Sequence, residues 1–148
     1  MNNNYGNQYK KRVFSSKLSK LRQQLSYLLK QRYKHLKVIF NNDALVKGGI
    51  YIINRKCGKP ACKCATTDYR HPSYYLYRSE QGDNQTIYIK RKDVGILKEL
   101  TNNYKKFRKA RAELMKIEKK MAEIINKIEE EKMIPLEREG KDEKKRNR

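Results

Sequence analysis

Apolar residues repeat along this chain with two periods, which divide it into helical and extended segments. From about Val13 to Leu36 they recur at alternating intervals of four and three, the spacing of a helix with a coiled-coil-like seam. The residues of this seam are Phe14, Leu18, Leu21, Leu25 and Leu28. The pattern predicts a first helix inside a basic helical segment that covers residues 10–47.

A second apolar series keeps a near-heptad spacing after Asp93, a residue type that caps helices. It continues to about Met133 and includes Leu97, Leu100, Tyr104, Phe107, Leu114, Ile117, Met121, Ile124, Ile125 and Ile128. A helix over 93–133 would be roughly 60 Å long at about 1.5 Å per residue, too long to pack only on a small sheet. We expect its first part to cover a sheet and the remainder to form a coiled coil, with the first helix or with another copy of the chain.

Between the helices, after Gly48-Gly49, the period changes to two. Residues 50–53, 74–78 and 85–91 predict three strands, and the polar residues 79–84 predict a hairpin connection. Alternation gives the sheet two faces. One is mainly aliphatic, with Ile50, Ile52, Tyr74, Leu76, Ile87 and Ile89; the other carries Tyr51, Ile53, Arg55, Tyr75, Tyr77, Tyr88 and Lys90. The segment 48–92 is therefore expected to form a small three-stranded antiparallel sheet.

All three cysteines and one of the two histidines lie in the loop region of this sheet. They are Cys57, Cys62, Cys64 and His71, in the pattern C-x4-C-x-C-x6-H. Zinc prefers four tetrahedral thiolate and imidazole ligands at short spacings, so the pattern predicts a structural zinc knuckle in which His71 is the least secure ligand. Nearby cations would favour the thiolate forms; they are Lys56, Lys59, Lys63 and Arg70. The predicted fold class is α+β, with the zinc-stapled sheet flanked by two long helices that form a coiled coil.

Other interpretations of the cysteines remain open. Three cysteines cannot all pair internally, and Cys62 and Cys64 are too close to bridge comfortably, so a disulfide framework is disfavoured. Free thiols beside a histidine at a turn are the main competitor of the zinc site. An iron–sulfur site and a cysteine–histidine nucleophile are weaker alternatives.

The charge of the chain points to a polyanionic partner. The net charge is +21, and residues 10–37 hold ten basic residues and no acidic one. Such asymmetry favours phosphate contact, most often with nucleic acid and second with an anionic membrane surface. The region after residue 93 mixes both signs, as in a solvated coiled coil that pairs with a partner.

The tyrosine-bearing sheet face is a candidate surface for nucleic acid, because tyrosines can stack on bases while cations hold phosphates. Candidate contacts are Tyr75, Tyr77, Tyr88, Arg55, Lys56, Lys59, Lys63, Arg70, Arg78, Lys90, Arg91 and Lys92. A purely structural explanation is equally available, since tyrosine is a good strand former and cross-strand aromatic pairs stabilise small sheets.

The segment GGIYIINRKCGKPACKCATTDYRHPSYYLYRSEQGDNQTIYIKRKDV resembles a family of small uncharacterised bacterial and archaeal proteins. Their shared pattern is R-K-C-G-K-P-x-C-x-C-A, an H-G-P-Y-Y-Y-L-like stretch, a hairpin and a helix with N-Y-x-x-F, matched here by Asn103, Tyr104 and Phe107. The resemblance covers about residues 48–115 and implies an association with mobile elements, but no activity. This chain has His71-Pro72-Ser73 in place of H-G-P. The layout of three strands and a helix is also similar to the arm-type DNA-binding domains of phage integrases.

These observations predict a zinc-containing binding module rather than an enzyme. The few acidic residues before 93 show no paired spacing for a two-metal nuclease, and there is no phosphate-binding loop. We expect DNA to be preferred over RNA, with a homodimer formed through the coiled-coil helices; the alternative is a coiled-coil adaptor. No apolar run is long enough to span a membrane and no signal peptide is recognisable, which favours the cytoplasm. Residues 1–9 and 134–148 are expected to be disordered.

Overall fold

A computed structural model describes residues 15–134 and has a mixed α+β architecture. In chain order it contains helix α1 (Ser16–Ile39), strand β1 (Gly49–Arg55), short helix α2 (Lys63–Thr66), strand β2 (His71–Glu80), strand β3 (Asp83–Ile89), a 3₁₀ turn (Arg91–Asp93) and helix α3 (Val94–Lys132). The predicted fold class is thus confirmed in its α+β character and its sheet. The two helices are unequal, with 24 residues in α1 and 39 in α3, so only one of the two expected long helices is long.

The sheet is antiparallel with strand order β1-β2-β3. Ile50, Leu76 and Ile87 are opposite one another across the three strands, and the neighbouring row is Tyr51, Tyr75 and Tyr88. Residues that are directly opposed share a face, so the two predicted faces are both confirmed. The aliphatic face contacts the start of α3, and the tyrosine face lies on the other side of the sheet.

The hairpin between β2 and β3 is tighter than the sequence predicts. Ser79 pairs with Asn84 and Glu80 with Asp83, which leaves Gln81 and Gly82 as a two-residue loop. Both have positive φ, 52° and 90°. This is the backbone requirement of a type I′ hairpin turn, whose twist matches that of the flanking strands.

Strand β3 ends at Ile89, two residues before the predicted end at residue 91. The cause is the turn that follows: the backbone N–H of Asp93 donates to the carbonyl of Lys90 at 2.9 Å, which begins the 3₁₀ turn. Helix α3 then starts directly after Asp93, where the sequence places it.

The described chain falls into two compact units. One unit is Gln31–Lys116, and its core is Leu76, Ile89 and Val94, with Val46, Ile50, Tyr74 and Leu97 packed against them. The expectation that α3 covers the aliphatic face is met by Val94 and Leu97. Burial of the three core side chains is the main apolar stabilisation of this small sheet, at about 1.5–3 kcal/mol for each residue.

The other unit is made of Met1–Lys30 and Ile117–Arg148, of which residues 15–30 and 117–134 are described. Leu18, Leu21 and Ile117 are buried there. Ser15 caps α1, because its side-chain oxygen accepts the backbone N–H of Leu18 at 2.9 Å.

Some predictions fall where the structure gives no description. The expected disorder of residues 1–9 and 135–148, and the start of the first helix at Val13 and Phe14, lie outside the described residues. Within residues 15–134, no helix is long and apolar enough to cross a membrane.

Candidate metal centre and nucleic-acid interface

The cysteine loop is held between two paired strand ends. Arg55 at the end of β1 is opposite His71 at the start of β2, so residues 56–70 form a closed loop. Within it the backbone N–H of Cys62 donates to the Lys59 carbonyl at 3.1 Å, and the N–H of Ala65 donates to the Cys62 carbonyl at 2.8 Å. These two turns direct the loop cysteines back toward His71.

The four predicted ligands converge. Their candidate ligand atoms all lie within 4.8 Å of one another. The Sγ atoms of Cys57 and Cys64 are 3.5 Å apart, and Sγ of Cys62 is 3.0 Å from Nε2 of His71. In a tetrahedral thiolate site with metal–sulfur bonds of about 2.3 Å, two sulfurs lie about 3.8 Å apart. The arrangement therefore fits one ion held by three sulfurs and one imidazole nitrogen, and the predicted Cys₃His cluster is confirmed as a possible metal site.

Backbone hydrogen bonds favour the thiolate that a metal requires. The N–H of Lys59 and the thiols of Cys64 and Cys62 hold the pKa of Cys57 below its ordinary value. The N–H of Cys57 in turn donates to Sγ of Cys64 at 3.3 Å. Amide donors directed at cysteine sulfurs stabilise negative charge on them.

Cys62 shows the opposite balance. The N–H of Cys64 lowers its pKa, but the neighbouring Cys57 and Cys64 thiols and burial outweigh this, so the pKa of Cys62 is raised overall. Three thiolates cannot approach this closely without a compensating cation, and a bound metal ion supplies one. All three cysteines are free in the structure.

The tyrosine face forms a continuous aromatic surface. Tyr51 stacks on Tyr75 with ring centroids 5.8 Å apart, and Tyr88 meets Tyr75 edge to face at 5.7 Å. The three rings belong to three different strands, in one row of the sheet. Tyr88 is 61% exposed, and Tyr51 and Tyr77 are also exposed. The surface is thus available to a partner as well as being held together by its own ring contacts.

This aromatic surface is continuous with the metal centre through a cationic cavity of about 420 Å³. The cavity is lined by Arg55, Lys56, Cys57, His71, Ser73 and Tyr88. The guanidinium of Arg55 donates to the hydroxyl of Tyr75 and lies over its ring, with Cζ 5.4 Å from the centroid. A cation stacked on an aromatic ring in this way is held in a defined orientation. Arg55 therefore joins the tyrosines to the metal-binding loop.

The other predicted contact residues are distributed around this surface. Lys59 and Lys63 lie in the metal-binding loop, where Nζ of Lys63 is 5.7 Å from the ring centroid of Tyr69. Arg70 is engaged within the loop, donating to the carbonyls of Thr67 and Tyr69 at 3.2 and 3.0 Å. Lys90, Arg91 and Lys92 are exposed at and before the 3₁₀ turn.

Arg78 does not belong to this surface. It alternates with Tyr77, so it lies on the opposite face together with Leu76. There it donates to Gln85 Oε1 at 2.9 Å and pairs with Glu80 at 3.3 Å. It lines a second cavity with Lys47, Lys105 and Arg108, three cations outside the predicted set. No local motif marks them, because each resembles any lysine or arginine on a solvated helix or loop.

Searches of curated proteins and of solved structures returned no significant match. One family model matches residues 17–100, a range that includes α1 from its second residue, the whole sheet with its metal centre, and the first turns of α3. That range is more than half of the chain, which therefore belongs to the family described as a domain of unknown function, DUF6788.

Proposed function

We propose that this protein binds nucleic acid, DNA in preference to RNA, with the tyrosine face of its sheet and the adjoining metal-binding loop. The observation that carries the proposal is the continuity between the stacked tyrosines, the Arg55 cavity and the Cys₃His centre. Exposed rings offer stacking platforms for bases, and the cations beside them offer contacts to phosphates. The net charge of +21 supplies the long-range attraction that such binding requires.

We propose zinc as the metal. Three thiolates and an imidazole are a ligand set that zinc favours, and four protein ligands leave no open position for a substrate. Its role would be structural: the ion would fix residues 56–70 against the paired strand ends at Arg55 and His71. Lys59 and Lys63 would then be presented to phosphates at fixed positions. This assignment makes the protein a binding module and not an enzyme.

We further propose that the protein is an accessory or regulatory factor of a mobile element; the support is its resemblance to a family often found among mobile-element genes. Its thiol ligands suit a reducing compartment, so the cytoplasm and the nucleoid are the proposed location.

The test is a salt titration of DNA binding by the purified full chain, with and without a chelator, together with measurement of zinc content. We expect one zinc per chain, and binding that weakens steeply with salt and is lost on chelation. Zinc without DNA binding would overturn the proposed function. Binding that survives complete metal removal would show that the metal-binding loop is not part of the binding surface.

A charge-reversal pair localises the surface. Lys59→Glu with Lys63→Glu should make the slope of log K against log salt for single-stranded DNA less steep by roughly 1.4, since each lost phosphate contact contributes about 0.7. The control is Lys106→Glu with Lys119→Glu, which makes the same change of net charge at exposed positions of α3. Equal slopes for the two variants would argue against the loop as the contact site.

A second candidate, self-association or adaptor activity through the helices, is favoured by a separate observation. In the unit formed by the two chain ends, a cavity of about 490 Å³ is lined by Gln23, Gln24, Tyr27, Leu28, Lys120, Glu123, Ile124 and Lys127. Tyr27 is 62% exposed and Ile125 is 50% exposed. Covering these side chains in a coiled-coil homodimer would remove apolar surface from water. Sedimentation at rising protein concentration tests this: a dimer weakened by Tyr27→Ser supports it, and a monomer throughout rejects it.

A further inference from the structure

A second cavity lies at the far end of the sheet from the metal centre. It has a volume of about 400 Å³ and is lined by Lys47, Gly48, Gly49, Tyr77, Arg78, Ser79, Tyr104, Lys105 and Arg108. Gly49 and Tyr77 are partners at one end of the β1–β2 ladder, while Arg55 and His71 are partners at the other. The two pairs are six residue steps apart along β1, about 20 Å at roughly 3.3 Å per step. The cavity is therefore well separated from the metal centre, and of the tyrosine face it includes only Tyr77.

The cavity concentrates positive charge. Four of its nine lining residues are cations, and none is acidic. Arg78 is partly compensated by Glu80, at 3.3 Å. Among the residues that the structure describes, Lys47 and Lys105 have no carboxylate partner. Like charges gathered at one concavity repel one another unless an anion is present, so the site favours a negatively charged occupant.

Several donors are already oriented. Arg78 is fixed from two sides, by Gln85 and by Glu80. Arg108 donates to the hydroxyl of Tyr104 at 3.4 Å, one helical turn earlier in α3. Part of the cavity wall is glycine backbone. Gly48 lies so close to the Tyr77 carbonyl that a Cβ would be only 2.5 Å from its oxygen. A cavity with two positioned guanidinium groups, two amines and a glycine wall has a suitable donor set for a small oxyanion.

We propose that this cavity, bounded by Lys47, Arg78, Lys105 and Arg108, is a phosphate-binding site. Phosphate carries up to two charges and accepts several hydrogen bonds at once, which suits guanidinium forks combined with point-charge amines. The phosphate could come from a free inorganic or nucleotide phosphate, or from a nucleic-acid backbone that crosses this end of the sheet. The site does not depend on the function proposed for the tyrosine face.

The experiment is an amide NMR titration of the zinc-loaded full chain with inorganic phosphate at constant ionic strength. The expected result is a saturable shift of the Gly48, Gly49 and Lys105 amides. The test variant is Lys105→Gln with Arg108→Gln, and the matched control is Lys106→Gln with Lys109→Gln, which removes the same charge from the adjacent face of α3. We expect roughly tenfold or greater weakening in the test variant, because it loses two charged donors to the anion. The control should match the wild type.

A second titration with an oligothymidylate that lacks a terminal phosphate distinguishes the two sources. Saturation of the same amides by the oligonucleotide, weakened by the test variant alone, would identify a backbone phosphate as the occupant. Saturation by inorganic phosphate without any oligonucleotide response there would identify a free phosphate. Linear shifts with both probes, or equal weakening in the test and control variants, would overturn the proposal. None of these outcomes changes the result expected for Lys59 and Lys63, so the two proposals fail independently.

Discussion

Sγ of Cys62 lies 3.0 Å from Nε2 of His71, although the two residues are nine positions apart in the sequence. This contact joins the middle of the metal-binding loop to the first residue of β2. His71 is also the strand partner of Arg55, so a metal bound here would fix the end of the sheet that carries the Arg55 cavity. The metal centre and the tyrosine face are thus mechanically connected.

The first prediction concerns the fourth ligand. His71→Ala should lower zinc affinity by about 10-fold or more and lower the thermal midpoint, because three thiolates remain but the site is no longer closed. Zinc stoichiometry and competition with a chromogenic chelator measure this. The chain has two histidines, and His35→Ala in α1 is the matched control, expected to bind zinc like the wild type. Equal affinities for both variants would remove His71 from the ligand set.

The second prediction concerns Tyr88, the most exposed ring of the tyrosine face. Tyr88→Ala should weaken single-stranded DNA binding by about 1–3 kcal/mol, the usual contribution of one base–aromatic stack. Tyr88→Phe keeps the ring and should retain most of the affinity. Tyr33→Ala removes a similarly exposed ring, 63%, from α1 and should have no comparable effect. Fluorescence anisotropy with a labelled oligonucleotide measures the affinity of all three variants. A large loss of affinity in Tyr33→Ala alone would indicate that α1, and not the tyrosine face, is the binding surface.

Local patterns were sufficient to predict the sheet and the metal cluster. Alternation assigned Tyr51, Tyr75 and Tyr88 to one face because a strand has a strict period of two, and the register bears this out. The cysteine spacing predicted the ligand set because a short loop can bring such residues around one ion without knowledge of the rest of the fold.

Features that depend on tertiary pairing could not be predicted in the same way. Ser79, Glu80, Asp83 and Asn84 look like a loop because they are polar, yet they continue the ladder to the Gln81-Gly82 turn. The cavity beside Lys105 and Arg108 forms only because α3 passes the start of β1 and the end of β2. No periodic pattern in the sequence predicts this contact between the helix and the sheet.

The third prediction is a pH dependence of stability, caused by an ion pair at the start of α1. Lys17 and Ser15 both donate to the carboxylate of Glu131, and the hydrogen bond from Lys17 lowers the pKa of Glu131 below its ordinary value of 4.5. Because the pKa of Glu131 is depressed in the folded state, the stabilisation from its ionised carboxylate is present above about pH 4.5. It is lost as the pH falls through the folded-state pKa. Glu131→Gln should therefore be less stable than the wild type at pH 6, and the difference should shrink toward pH 3.

Urea midpoints over this pH range measure the effect. Glu129→Gln, two residues earlier on α3, is the control and should show no comparable pH-dependent difference. A gap between Glu131→Gln and the wild type that stays constant from pH 6 to pH 3 would contradict an electrostatic origin.

The fourth prediction compares two adjacent glycines. Gly48 has φ of 131°, and a Cβ there would be 2.5 Å from the Tyr77 carbonyl oxygen and 3.0 Å from Cδ1 of Leu76. The backbone oxygen cannot move away without disturbing the β1–β2 ladder, so Gly48→Ala should destabilise the fold by about 2–4 kcal/mol through strain and the clash together.

At Gly49 a Cβ would have no atom within 4 Å, and the φ of this residue is not positive. Gly49→Ala should be neutral or stabilising by up to about 1 kcal/mol, because alanine restricts the unfolded chain more than glycine does. Chemical denaturation of the two variants, each with zinc bound, measures the contrast, and equal stabilities would mean that the chain does not approach Tyr77 at Gly48.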